Sequence, residues 1–298
     1  MRRDIQFHSE GSLIQGHLYL PEGATPNGDA PSGAAMNLPC VILCHGFAGV
    51  KELLLPKFAQ AFSEKGFAAM TFDYRGFGTS GGEKGRLVWR EQVQDIRNAI
   101  TFASTLDEVD AEKIALWGTS YGGANVIETA SQDDRVKCLV VQISFGDGER
   151  VITGGQTPEQ KAKLRAMLEK AWQREVAKNR PMMLPIEQIL TDAQSKQFFQ
   201  DNVQEFPCLN SKLSMLFIHH TLEYHPENRL TQLHCPILIL GAEKDETNPV
   251  AETHALYAKA NEPKQLHIIQ GAGHYEVYQG KFFEEAFAVE WGWLRKHL

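Results

Sequence analysis

Three residues far apart in the chain have the types needed for acyl-transfer chemistry. Ser120 sits in Gly118-Thr119-Ser120-Tyr121-Gly122-Gly123, Asp245 in Gly241-Ala242-Glu243-Lys244-Asp245, and His274 in Gly271-Ala272-Gly273-His274. A serine hydroxyl is a weak nucleophile at neutral pH and needs an adjacent base, which in turn needs an orienting carboxylate. A Gly-x-Ser-x-Gly segment between a strand and a helix holds the serine on a sharp, strained turn and projects its Oγ above the sheet edge. The order serine, acid, histidine matches a chain that supplies one residue from each of three strand ends. Each residue also has a plainer reading: a glycine-rich strand-to-helix turn for Ser120, a capping carboxylate for Asp245, a surface-loop histidine for His274. Glu243 and Glu246 compete with Asp245 for the acid role. The joint order and spacing favour Ser120, Asp245 and His274 as nucleophile, acid and base. The tetrahedral intermediate of such a reaction needs donors for its oxyanion. The backbone N–H of Tyr121, directly after the serine, is one candidate. The N–H of Phe47 in His45-Gly46-Phe47 is the other, with His45 a structural residue of that loop.

The elements that must position these residues follow from periodicity. Pro39–Cys44 is a continuous apolar run, as in a strand buried on both faces, and Phe67–Phe72, Ile114–Trp117, Val136–Ile143 and Pro236–Gly241, all largely apolar, read as further strands. Another strand is expected at 265–270. Helical periods fall near 53–65, 87–105, 124–130 and 249–260, and from about 281 to the end. Residues 4–8 and 14–20 alternate and predict an antiparallel hairpin at a sheet edge. Residues 21–38, rich in Pro, Gly, Ala, Asn and Asp, predict a long loop. Strands and helices alternate up to residue 144, which implies parallel pairing. The rhythm then breaks: 147–232 shows no convincing strand, and Thr157-Pro158-Glu159-Gln160 is a capping box opening a helix with Leu164, Met167, Leu168, Ala171, Trp172 and Val176. Further helices are expected near 186–205 and 211–224. The fold class is α/β, a mostly parallel doubly wound sheet from 1–146 and 233–298, with a helical cap inserted at 147–232.

Other chemistry is weighed and set aside. Gly76-Phe77-Gly78-Thr79-Ser80-Gly81 fits the dinucleotide fingerprint Gly-x-Gly-x-x-Gly. The acidic residue about twenty positions on, Asp95, falls inside a helix and not at the end of the next strand, so a tight turn with local bonds to Asp73 or Arg75 is the reading. His219 and His220 adjoin, and neighbours do not share a helix face. No Cys or His spacing matches a zinc site, so no metal and no cofactor is expected. His220 and Tyr224 are the candidates for touching substrate from the insertion.

Composition bounds the rest. A chain of 298 residues, 43% hydrophobic and 22% charged, can bury a large core. With a net charge of −7 and no basic cluster, nucleic acid is not an expected partner. No apolar run reaches the ~18–20 residues of a membrane span, and no apolar segment follows the basic start, so no signal peptide is expected. The five cysteines, Cys40, Cys44, Cys138, Cys208 and Cys235, are odd in number and three lie in apolar strands. They read as free thiols, which points to the cytoplasm. The expected partner is a small-molecule acyl substrate; a homodimer is left open.

Taken together, Gly118–Gly123, His45–Phe47, Asp73–Gly82, Asp245 and His274 resemble the α/β-hydrolase superfamily over roughly 39–144 and 236–298. Trp117–Gly123 and Asp73–Gly82 are similar to the Xaa-prolyl dipeptidyl-peptidase-like and dienelactone-hydrolase-like branch, and His45–Lys51 to cinnamoyl (feruloyl) esterases, which carry an insertion at the same place. The resemblance implies an α/β-hydrolase fold and hydrolysis of a carboxylic ester or related acyl bond through a covalent acyl-enzyme. An amidase or peptidase, or a C–C bond hydrolase or acyltransferase, would use the same residues. The insertion matches no motif of the superfamily and would set specificity.

Overall fold

The computed structural model describes residues 1–23 and 37–298. Most of the loop expected at 21–38 lies outside the described residues. β1 (Arg2–Ser9) and β2 (Ser12–Tyr19) form the edge hairpin, joined by Glu10 and Gly11, both at positive φ. A two-residue turn with both φ values positive matches the twist of the strands it joins. β3 (Leu38–Cys44), α1 (Leu55–Glu64), β4 (Ala68–Phe72), α2 (Trp89–Ala103), β5 (Val109–Thr119), α3 (Tyr121–Ala130) and β6 (Val136–Gln142) then alternate strand and helix. α4 (Gly148–Thr153), α5 (Pro158–Lys178), β7 (Met183–Pro185), α6 (Ala193–Asn202), β8 (Lys212–Ser214) and α7 (Leu216–Leu222) follow. The alternation resumes with β9 (Ile237–Ala242), α8 (Val250–Lys259), β10 (Lys264–Ile269) and α9 (Gly280–His297). The described strands of the main sheet run β1-β2-β4-β3-β5-β6-β9-β10, parallel from β4 to β10, with β1 and β2 antiparallel.

Side chains alternate across a strand, so each apolar run divides between two cores. Ile42, Ile114, Leu116, Leu139 and Val141 face α2 and α3. Val41, Leu43, Ala115, Trp117 and Val140 face the other way, toward Phe58 and Phe62 of α1 and Trp293 and Leu294 of α9. Fully burying one such side chain is worth ~1.5–3 kcal/mol, which is why these runs are central and parallel. Cys40, Cys44 and Cys138 are buried within the strands, and all five cysteines are free. Burial pushes the Cys40 thiol up to about 12, well away from a reactive thiolate.

The stretch from 147 to 232 is helical with one exception to expectation. β7 and β8 form a small antiparallel pair, Met183 opposite Ser214 and Pro185 opposite Lys212. Three-residue strands are too short to show alternation, so periodicity does not report them. The capping box is formed: Thr157 Oγ1 accepts from Gln160 N–H at 3.3 Å, and Gln160 Oε1 accepts from Thr157 N–H at 2.8 Å. α5 ends at Asn179, in the left-handed region at φ 48°. Of its apolar residues only Leu168 and Ala171 are buried. The segment is tied to the sheet domain by Arg150, which pairs with Glu252 of α8 and, at 2.8 Å, with Glu227, itself held by Lys259 at 2.7 Å. No helix among the described residues is long and apolar enough to cross a membrane.

One buried acid has no counterpart in this packing. Glu290 of α9 is fully buried and neither carboxyl oxygen has a hydrogen-bond partner among the described residues. Burial raises its pKa from an ordinary 4.5 to about 8, opposed only in part by the nearby Trp117 indole N–H, which makes no hydrogen bond among the described residues. Between those two values the folded state binds more protons than the unfolded one. Stability is therefore highest below the unfolded pKa and falls as pH rises toward 8. Urea unfolding at about pH 5 and about pH 8.5 should show this loss, and Glu290→Gln should flatten it. An equal pH slope in both proteins would refute the assignment.

Candidate active site

The turn after β5 carries the first residue. Ser120 has φ 53° and ψ −122°, a conformation strained for a residue with a Cβ. Its N–H donates to Gln142 O at 2.9 Å, and its carbonyl accepts from Ser144 Oγ at 2.7 Å. The glycines make the turn possible. A Cβ on Gly118 would collide with the Gly122 carbonyl, and one on Gly122 with the carbonyls of Cys44 and His45.

The loop after β9 carries Asp245 and the loop after β10 carries His274. Both are buried. His274 Nδ1 lies 2.7 Å from Asp245 Oδ2. The other oxygen, Oδ1, accepts from Thr247 N–H at 2.9 Å and Asn248 N–H at 2.7 Å. These bonds fix which edge of the carboxylate faces the imidazole. Glu243 instead accepts from Gly271 N–H at the surface, so it does not take that place. Ser120 and His274 line one cavity, together with Gly46 and Phe47.

The loop after β3 closes against the serine. A Cβ on Gly46 would stand 3.0 Å from Ser120 Cβ, so only glycine fits without displacement. Among the described residues the Phe47 and Tyr121 N–H groups donate to no protein acceptor. His45 is buried, its ring edge-on to Tyr74 at 4.6 Å and its Nδ1 3.0 Å from Gly46 O. Burial lowers its pKa, so it remains a neutral wall residue.

Two expected substrate contacts are not brought to this cavity. Tyr224 is buried with its ring stacked on Trp89 at 4.3 Å and its Oη donating to Asn125 Oδ1 at 3.2 Å. It is a packing residue between the insertion and helices α2 and α3. His220 faces a separate cleft beside Arg86, Glu175 and Phe217, where burial, then His219 and Arg86, lower its pKa. Apolar lining from the insertion comes instead from Leu190, Phe198, Phe199 and Leu209. The cavity holds about 70 Å³.

Sequence reasoning passed over Asn248 and Gln194. Asn248 Nδ2 reaches Ser120 Oγ at 3.3 Å and Ile143 O at 2.8 Å, so its two hydrogens hold the hydroxyl against the sheet. An Asn three positions past Asp245, just before a helix, is the only local hint of it. Gln194 has none.

The glycine-rich turn at 76–81 is local. Asp73 accepts from Lys51 Nζ at 2.8 Å, Lys51 N–H at 2.7 Å and Thr79 N–H at 2.9 Å. Burial alone would raise the Asp73 pKa, but these donors outweigh it and hold the carboxylate below its ordinary value. Asp95 is spent on Arg75 and Ser9. No group of three or more His, Cys, Asp or Glu among the described residues could hold a metal ion.

A family model described as "Serine aminopeptidase, S33" matches residues 37–277. This chain belongs to that family of α/β hydrolases. Similar proteins include the "Uncharacterized 31.7 kDa protein in traX-finO intergenic region" of Escherichia coli, 41% identical over 280 residues that cover 94% of this chain and 98% of the relative. The "Quorum-quenching protein AidA" of Acinetobacter baumannii (strain MDR-ZJ06) is 26% identical and covers 98% and 94%. The solved structure of the α/β hydrolase GrgF from Penicillium sp. sh18 superposes with a TM-score of 0.82 at 22% identity, over 100% of this chain and 99% of that one. The fold is thus the α/β-hydrolase fold.

Proposed function

We propose that this protein is a serine hydrolase that cleaves a carboxylic ester, or a related acyl bond, through a covalent acyl-enzyme. The observation that carries the reading is the 2.7 Å pairing of His274 Nδ1 with Asp245 Oδ2 in the cavity that Ser120 lines. Asp245 Oδ2 accepts a hydrogen bond from Nδ1–H, which keeps that proton on Nδ1 and leaves Nε2 as the base. Ser120 Oγ attacks the acyl carbonyl as His274 takes its proton. The Phe47 and Tyr121 N–H groups hold the oxyanion, each such donor being worth ~2.7–4 kcal/mol. His274 then protonates the leaving alcohol and activates water to release the acyl group. Residues 147–232 act as a cap, and Leu190, Phe198, Phe199 and Leu209 form its contribution to the acyl pocket.

A panel of p-nitrophenyl esters of graded chain length, with matched amides, lactones and hydroxycinnamates, tests this. The small apolar-walled cavity predicts the highest kcat/KM on the shorter acyl chains, with esters well ahead of matched amides. Faster turnover of amides would make the protein a peptidase or amidase instead. No turnover of any member, with no labelling by a fluorophosphonate, would end the serine-hydrolase reading.

A further inference from the structure

Where α6 crosses the site, one side chain reaches both loops that carry Asp245 and His274. Gln194 Oε1 accepts from His274 N–H at 2.9 Å and from Glu246 N–H at 3.3 Å. Its Nε2 donates to Lys244 O at 2.7 Å. Lys244 and Glu246 flank Asp245 on either side. One carboxamide therefore joins both neighbours of the acid to the base residue itself. The chemistry is specific to an amide, which offers an acceptor for two N–H groups and a donor for a carbonyl at the same tip. The next position strengthens the dock: Ser195 Oγ lies 3.0 Å from Tyr275 Oη and 3.3 Å from Thr247 Oγ1. The Phe198 ring stacks on Tyr275 at 4.1 Å. Gly273 fits because a Cβ there would stand 2.5 Å from Gln194 Nε2.

Backbone bonds join the two loops nearer the sheet, Glu243 N–H to Ile269 O and Lys244 N–H to Ala272 O. They fix the bases of the loops. Among the described residues, Gln194 is the side chain of the insertion that bonds the backbone of both tips.

We infer that Gln194 is a positioning residue: docking of α6 sets the separation between Asp245 and His274, so that the insertion controls the competence of the base as well as access to the cavity. This rests on the serine-hydrolase reading above. It follows that a state with α6 lifted admits substrate but lacks an aligned base, and that reaction is confined to the docked state.

The test compares Gln194→Met, which keeps the shape without hydrogen bonds, with Gln194→Glu, which keeps the two accepting bonds. Gln194→Met should lower kcat on a p-nitrophenyl ester by ~10–100-fold with KM little changed, in keeping with the cost of slight misplacement of a catalytic group. Fluorophosphonate labelling should slow by a similar factor. A looser Asp245 stabilises the imidazolium less, so the acid limb of the pH–rate profile should move to lower pH. Gln194→Glu keeps the two accepting bonds but sets an oxygen against Lys244 O, so it should recover only part of the lost kcat. Wild-type kcat in Gln194→Met would overturn the inference. So would a loss confined to KM, or to thermal stability with an unmoved pH limb. Absence of labelling in the wild type would instead remove the underlying serine-hydrolase reading, so the two failures are distinct.

Discussion

Ser120→Ala is expected to lower kcat by roughly 10⁶-fold and to abolish fluorophosphonate labelling, the scale seen when a serine nucleophile acting with its base is removed. The fold should survive the change. Alanine keeps the Cβ and so neither relieves nor adds to the strain at φ 53°. The backbone bonds of residue 120 to Gln142 and Ser144 do not involve the hydroxyl. Asn248 loses its weaker acceptor and keeps Ile143 O at 2.8 Å. Near-identical circular dichroism and thermal midpoint, with activity gone, is the expected pair of results. Residual labelling at another position, or turnover reduced less than about tenfold, would show that the nucleophile lies elsewhere.

Asp245→Asn should cost about 10⁴-fold in kcat, and the reason is the orientation of the carboxylate. Oδ1 receives two backbone N–H groups, from Thr247 and Asn248. An asparagine must give its oxygen to those donors, which turns its NH₂ toward His274. The imidazole is then driven to the tautomer with Nδ1 as acceptor and the proton on Nε2, where it cannot accept the serine proton. The loop itself is preserved because its two accepting bonds remain. Activity measurement beside an unchanged unfolding curve separates this from collapse of the loop. An Asp245→Asn protein of nearly full activity would assign the acid role to another group.

The central sheet is legible in the sequence because it is buried on both faces. The runs Val41–Cys44 in β3, Ile114–Trp117 in β5 and Ile237–Leu240 in β9 are apolar without interruption, that in β6 is flanked by Lys137 and Gln142, and apolar runs this short, bounded by turn residues, suit a buried strand better than a helix. With those strands placed, Ser120, Asp245 and His274 fall at the C-terminal ends of strands, where open α/β sheets carry their ligand loops. The insertion is less legible. Tyr224 has the character of a site residue and is instead packed flat on Trp89. A tyrosine looks the same in either place, and only the path of the chain after α7 decides. Gln194 and Asn248 are invisible for a related reason. Their partners lie 80 and 128 residues away, and a contact across that distance leaves no periodic trace. The short β7–β8 pair escapes notice on length alone.

The positive φ of Ser120 also ties the elbow to the sheet. A residue in that region costs ~1–3 kcal/mol and stays there because Gln142, Ser144 and the tight glycine contacts over-determine it. Every residue of α3 behind it is buried, and local opening begins where buried contacts are few. On the serine-hydrolase reading, heat or denaturant will therefore remove turnover and the sheet together, and the loss of turnover reports the unfolding of the core.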